Sequence, residues 1–226
     1  KYPMAGQTSE KIDVGVYNVN SEKTIFLQIH PQGLNDQYYA TNLTWSPDNK
    51  KIYIAWLNRA TNWMRFMAYD AATGNELGML FEEKDEQWVE PLFPAYFLPN
   101  NPELFVWISQ RDGFNNLYLY NTKGVLQKKS KLPFDITEFL GFSPEGDYAF
   151  VMATGDVPTE SMCYRIRTSD MGQERITNVH GTHACQISGS GEYVIDQFSN
   201  LSTPNKIDIV QYDGRLVKSL HQAANP

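Results

Sequence analysis

One phrase returns four times along this chain: a short turn of Ser, Pro, Asp, Asn or Gly, an aromatic and β-branched strand, a polar loop, and a second strand of Tyr/Ile/Leu type. The first copy reads Trp45-Ser46-Pro47-Asp48-Asn49-Lys50, then Lys51-Ile52-Tyr53-Ile54-Ala55-Trp56-Leu57, then Trp63-Met64-Arg65-Phe66-Met67-Ala68-Tyr69-Asp70 and a turn at Thr73-Gly74-Asn75. The others begin at Leu98-Pro99-Asn100-Asn101, at Ser143-Pro144-Glu145-Gly146 and at Ser188-Gly189-Ser190-Gly191. From Pro47 to Pro99, to Pro144, to Gly189 the steps are 52, 45 and 45 residues. That period is close to the roughly 40–50 residues of a four-stranded propeller blade.

The chemistry of the repeat restricts how it packs. Ile52, Ile54 and Trp56 alternate with Tyr53, Ala55 and Leu57, so both faces of the strand are apolar and neither can be left in water. Each sheet therefore needs a neighbour on both sides, and an aromatic share of 13% suits the wedge between twisted sheets. Asp48-Asn49, Glu145-Gly146 and Ser190-Gly191 are placed to join first to second strands, and Lys123-Gly124 and Asp213-Gly214 third to fourth. No stretch holds a 3.6-residue apolar period over several turns, so helix content is expected to be low.

The resulting expectation is an all-β chain, a partial β-propeller of about four to five four-stranded antiparallel blades. It is read as one domain: residues 1–36 as the end of an incomplete blade, and 37–86, 87–134, 135–180 and 181–226 as blades. The opening pair, Ile12-Asp13-Val14-Gly15-Val16-Tyr17 and Thr24-Ile25-Phe26-Leu27-Gln28-Ile29, is half a unit without a partner, as expected of a piece of a longer ring.

Bulk properties narrow the partners. A net charge of -7 argues against nucleic acid, and the single basic cluster, Lys128-Lys129 with Lys131, reads as a solvated strand end. No apolar run approaches the length of a membrane span. Cys163 and Cys185 lie one unit apart and so on adjacent blades, where they are either a disulfide or two buried thiols.

Catalytic patterns are missing. A serine-hydrolase elbow needs Gly-x-Ser-x-Gly, and the nearest match, Gly141-Phe142-Ser143-Pro144-Glu145, has Glu in the last place. His180-Gly181-Thr182-His183-Ala184-Cys185 fits no zinc spacing and reads as a loop entering a strand. No catalytic residue, metal ligand or cofactor is therefore assigned. Glu82-Glu83 with Asp85 and Glu86 is an acidic cluster of the kind that holds a cation or an amine, but the simpler reading is a solvated loop; Arg111-Asp112-Gly113 reads as a polar surface turn. Trp88-Val89-Glu90-Pro91-Leu92-Phe93, rich in apolar residues and broken by Pro91 and Pro94, is poorly suited to a ladder; it either packs in the core or lines a channel.

Five phrases carry a further signal: Tyr2-Pro3-Met4-Ala5-Gly6, Leu57-Asn58-Arg59-Ala60-Thr61-Asn62, Trp88-Val89-Glu90, the run from Trp107 to Asn121 around Ser109-Gln110-Arg111-Asp112-Gly113-Phe114, and Phe198-Ser199-Asn200-Leu201-Ser202-Thr203-Pro204. Together they resemble the N-terminal propeller of the dipeptidyl peptidase IV family of prolyl-oligopeptidase-type serine peptidases. The family's propeller has about eight blades, so the resemblance places this chain in its second half.

The resemblance implies a non-catalytic segment of an exopeptidase that removes Xaa-Pro or Xaa-Ala dipeptides, enclosing the active site and gating substrate access. The Ser-Asp-His triad would lie on a C-terminal α/β-hydrolase domain, the implied partner alongside a peptide with Pro or Ala in second position. Glu82-Glu83 lacks the family's Asp-Trp-x-Tyr-Glu-Glu context and inherits no amine-binding role. Trp88, Leu92 and Phe93 are the implied substrate-facing residues, and the implied location is periplasmic or otherwise exported. The competing reading is a stand-alone propeller-like module that binds protein or glycan without catalysis; a sugar- or metal-dependent propeller enzyme lacks a convergent set of His and carboxylates.

Overall fold

The computed structural model describes Gln7, residues 11–29 and residues 38–224. The Tyr2-Pro3-Met4-Ala5-Gly6 phrase lies outside the described residues. Among the described residues every regular element is a strand. A two-stranded hairpin, β1 (Gly15–Asn18) and β2 (Lys23–Phe26), comes first.

Four antiparallel sheets of four strands follow, each a meander in chain order. They comprise β3 (Tyr38–Trp45), β4 (Lys51–Asn58), β5 (Trp63–Asp70) and β6 (Glu76–Lys84); then β7 (Tyr96–Leu98), β8 (Asn101–Ser109), β9 (Asn116–Asn121) and β10 (Leu126–Lys129); then β11 (Ile136–Phe142), β12 (Tyr148–Ala153), β13 (Met162–Arg167) and β14 (Gln173–Arg175); and last β15 (Thr182–Ile187), β16 (Tyr193–Asn200), β17 (Thr203–Gln211) and β18 (Leu216–Gln222). The fold is a partial β-propeller. Its chain divides into two compact units, Lys1–Phe97 with Asn121–Val125, and Leu98–Tyr120 with Leu126–Pro226.

In the first unit both faces of the second strand are covered, as its composition requires. Ile52, Ile54 and Trp56 on β4 join Met67 and Tyr69 on β5 and Leu27 beyond the hairpin in one apolar cluster, with Val14 and Val16 packed against it. The other face carries rings: Tyr53 stacks on Phe66 at 5.9 Å and meets Phe97 at 5.4 Å, and Phe66 meets Phe81 at 5.3 Å. Apolar surface leaving water on both faces contributes about 25 cal/mol per Å², which is why β4 and β5 are the most deeply buried strands of this sheet.

One acidic motif differs from its expected setting. Glu82 and Glu83 lie on strand β6 and not in a loop. Pairing of Arg65 with Glu82 across β5 and β6 sets the carboxylate beside the guanidinium at 3.5 Å, and it also accepts the Trp63 indole N–H at 2.9 Å. Arg111-Asp112-Gly113 is an exposed turn, as expected, and it is also anchored: Arg111 lies 4.2 Å over the Tyr118 ring and donates to the Tyr120 hydroxyl at 2.7 Å, while Asp112 accepts the Tyr118 hydroxyl at 2.8 Å. Those contacts latch the β8–β9 loop onto its own sheet.

In the second unit, Phe150, Met152, Cys163, Ile176, Cys185, Val194 and Val210 form the cluster between the sheet ending in β14 and the sheet beginning with β15. Arg165 is held between the Tyr148 and Tyr212 rings, 4.8 and 4.6 Å from their centroids, and forks onto Glu174. Along β16 burial alternates: Val194, Asp196 and Phe198 point inward, while Tyr193 and Ile195 point outward. That is the pattern of a sheet with one covered and one solvated face, unlike β4.

Candidate functional site

The segment from Asp85 to Ala95 forms no strand, in keeping with its two prolines. Its backbone is tied to the β4–β5 loop, where Val89 N donates to Thr61 O at 2.7 Å and Asp85 N to Asn62 O at 3.1 Å. The loop itself is fixed by Asn58, whose side-chain oxygen accepts from the backbone N–H of Asn62 and of Trp63, each at 3.0 Å. Thr61 takes the left-handed backbone at φ 54°, which turns its carbonyl toward Val89.

A bulge in β3 completes the frame. Thr41 pairs with Ala55 and Thr44 with Tyr53, so Asn42 and Leu43 share one partner position. Asn42 adopts φ 55° and its side-chain amide donates to the Phe93 carbonyl, while Thr41 Oγ1 donates to Asn42 Oδ1 at 2.6 Å. A bulge of this kind re-aims a side chain out of the ladder.

Between these parts lies a recess of about 550 Å³ lined by Tyr39, Thr41, Leu57, Thr61, Trp88, Val89, Glu90 and Pro91. Val89 is the buried anchor, whereas Trp88 is 55% exposed and Leu92 60%. The Arg59 guanidinium donates to the Tyr39 hydroxyl and lies 5.7 Å from its ring centroid. The recess therefore offers an indole, a phenol and the Glu90 carboxylate beside apolar Leu57, Val89 and Pro91, and Arg59 touches it only through Tyr39. Such a surface is suited to contact with a ligand, and among its lining residues no nucleophile is paired with a base.

Of the three expected substrate-facing residues, Trp88 lines the recess, Leu92 is exposed just beyond it, and Phe93 is half-buried and held through its carbonyl. Tyr39, Thr41 and Arg59 were not singled out from sequence as site residues. Arg59 and Thr61 do fall within the Leu57–Asn62 phrase that carried the resemblance.

The His-rich stretch of the second unit has a structural arrangement. His183 Nδ1 lies 2.8 and 3.0 Å from the two Asp196 carboxylate oxygens, and its Nε2 lies 2.8 Å from the Val179 carbonyl. Burial works against the charged ring, but the Asp196 carboxylate and the Val179 carbonyl hold its proton and lift its pKa above the ordinary histidine value. His180 pairs instead with Glu160 at 2.8 Å. Among the described residues no three His, Cys, Asp or Glu side chains gather as metal ligands, and no helix is long and apolar enough to cross a membrane.

The family model for the "Dipeptidyl peptidase IV (DPP IV) N-terminal region" matches residues 1–205. The chain belongs to that family. A solved structure described as a dipeptidyl aminopeptidase IV from Bacteroides ovatus ATCC 8483 is similar over 100% of this chain and 34% of its own, with 30% identity and a TM-score of 0.89. Porphyromonas gingivalis dipeptidyl peptidase 4 is similar in fold over 98% of this chain and 31% of its own, with 20% identity and a TM-score of 0.85. The chain thus spans about a third of the length of these DPP IV proteins, and the recess belongs to a DPP IV N-terminal region.

Proposed function

We propose that this chain is the non-catalytic propeller segment of an exported DPP IV-like serine exopeptidase, walling in a catalytic centre carried by an α/β-hydrolase domain elsewhere in the protein. The full-length protein would release Xaa-Pro and Xaa-Ala dipeptides. A wall of stacked sheets selects substrates by size and by a free N-terminus while excluding bulk water from the reaction. Trp88, Leu92 and Phe93 with the adjoining recess are the part of that wall that meets the peptide.

The observation that carries this reading is the exposure of the Trp88 indole, presented on an irregular segment pinned by the Val89–Thr61 bond, within a match to the DPP IV N-terminal region. An exposed aromatic beside an apolar recess is a contact surface more than a packing element. In the full-length protein, Trp88→Ala is expected to raise KM for Xaa-Pro peptides about tenfold with kcat preserved, the loss of a ~1.4 kcal/mol contact made equally in ground and transition states. Peptide kinetics identical to wild type would remove Trp88 and its recess from the substrate path.

A further inference from the structure

We propose that Cys163 and Cys185 are a disulfide site that ties the β11–β14 sheet to the β15–β18 sheet. The backbone brings the two together. Ser161 N donates to Gly181 O at 3.3 Å and His183 N to Ser161 O at 2.9 Å, a parallel bridge of Ser161 with Thr182 that joins the two sheets at this point. Cys163 follows two residues after one side of that bridge and Cys185 three residues after the other. Both side chains enter the same apolar cluster, both are free thiols, and they are 0% and 6% exposed. Cys185 donates to Asp196 Oδ1 at 3.5 Å.

The chemistry favours bond formation before the sheets close. In the folded, reduced chain the contact with Cys163 and burial push the Cys185 thiol well up, so the thiolate that attacks a disulfide is scarce. During folding both thiols are open to a dithiol–disulfide oxidoreductase of the exported compartment. One thiolate attacks the oxidant's disulfide and forms a mixed disulfide; the second thiolate attacks the protein sulfur of that bond. A Cys163–Cys185 bond results, and the oxidant leaves with both electrons as two thiols, the two protons passing to it or to solvent. Asp196 gives up the Cys185 donor but keeps His183 Nδ1. The bond closes a loop between residues 22 apart, and it secures the last sheet, whose strand β18 is exposed along its whole length.

The test uses the full-length protein exported to an oxidising compartment, with thiols blocked by iodoacetamide in denaturant at lysis and the cysteine peptides mapped by mass spectrometry with and without reduction. The expected result is a linked pair of Cys163 and Cys185 peptides, lighter by two hydrogens than the reduced pair and converted to two alkylated peptides only after reduction. Cys163→Ser is expected to leave Cys185 open to alkylation without reductant. Full alkylation of both cysteines in the unreduced wild-type protein would overturn the proposal.

Discussion

The indole Nε1 of Trp56 on β4 donates to the hydroxyl of Tyr69 on β5 at 2.9 Å, a bond buried inside the first unit's core beneath the edge of the Tyr38 ring. Both side chains are about 1% exposed, so neither polar atom has water as an alternative partner. Burial pushes the Tyr69 phenol far above its ordinary value, which keeps it neutral at neutral pH. Tyr69→Phe leaves the indole N–H buried without an acceptor and is expected to destabilise the protein by about 1–3 kcal/mol. Urea unfolding followed by tryptophan fluorescence reads that loss, and in a double-mutant cycle Trp56→Phe is expected to cost less in the Tyr69→Phe background than in wild type, because there it also removes the orphaned donor.

His183 makes stability depend on pH with a definite sign. Its folded pKa is raised, so the imidazolium–Asp196 pair stabilises the fold fully below the unfolded histidine value of about 6.5 and loses that contribution as pH rises through the folded value. Melting temperature is expected to fall as pH is raised from about 6.5 into the mildly alkaline range. In His183→Gln that part of the pH dependence is expected to vanish, and calorimetry across the same range checks it.

Gly74 supports the hairpin by having no side chain. It takes φ +75°, its carbonyl accepts from Gln28 N at 2.7 Å, and a Cβ there would sit 2.3 Å from the Phe26 carbonyl oxygen. Gly74→Ala meets both the left-handed backbone penalty of about 1–2 kcal/mol and a contact that only backbone movement relieves. The expected outcome is faster amide hydrogen exchange in β1 and β2 with a stability loss of at least that size, measured by exchange mass spectrometry.

The sheets were legible because the chemistry of β4 leaves no other arrangement: Ile52, Ile54 and Trp56 need one cover, Tyr53 and Ala55 another, and Asp48-Asn49 and Gly74 mark where the chain reverses. The turns at Lys123-Gly124, Glu145-Gly146, Ser190-Gly191 and Asp213-Gly214 fall between paired strands for the same reason. Trp88 stood out because two prolines disqualify its segment as a ladder strand. Other features depend on register, which residue spacing alone does not encode. His183 meets Asp196 because β15 and β16 pair His183 with Phe198, and a slip of one residue would turn Asp196 to the other face. Glu82 reads as a loop residue until β6 aligns it with Arg65. Asn42 reaches the Phe93 carbonyl only through a bulge that no pattern of hydrophobicity announces.

The most direct test of the functional account compares this chain alone with the full-length protein on a Gly-Pro-anilide whose N-terminus is free and on the same substrate acetylated. The account predicts chromophore release by the full-length protein from the free-amine substrate alone, and none above buffer from residues 1–226. Release by the isolated chain, or a full-length protein that leaves the free-amine substrate intact, would contradict it.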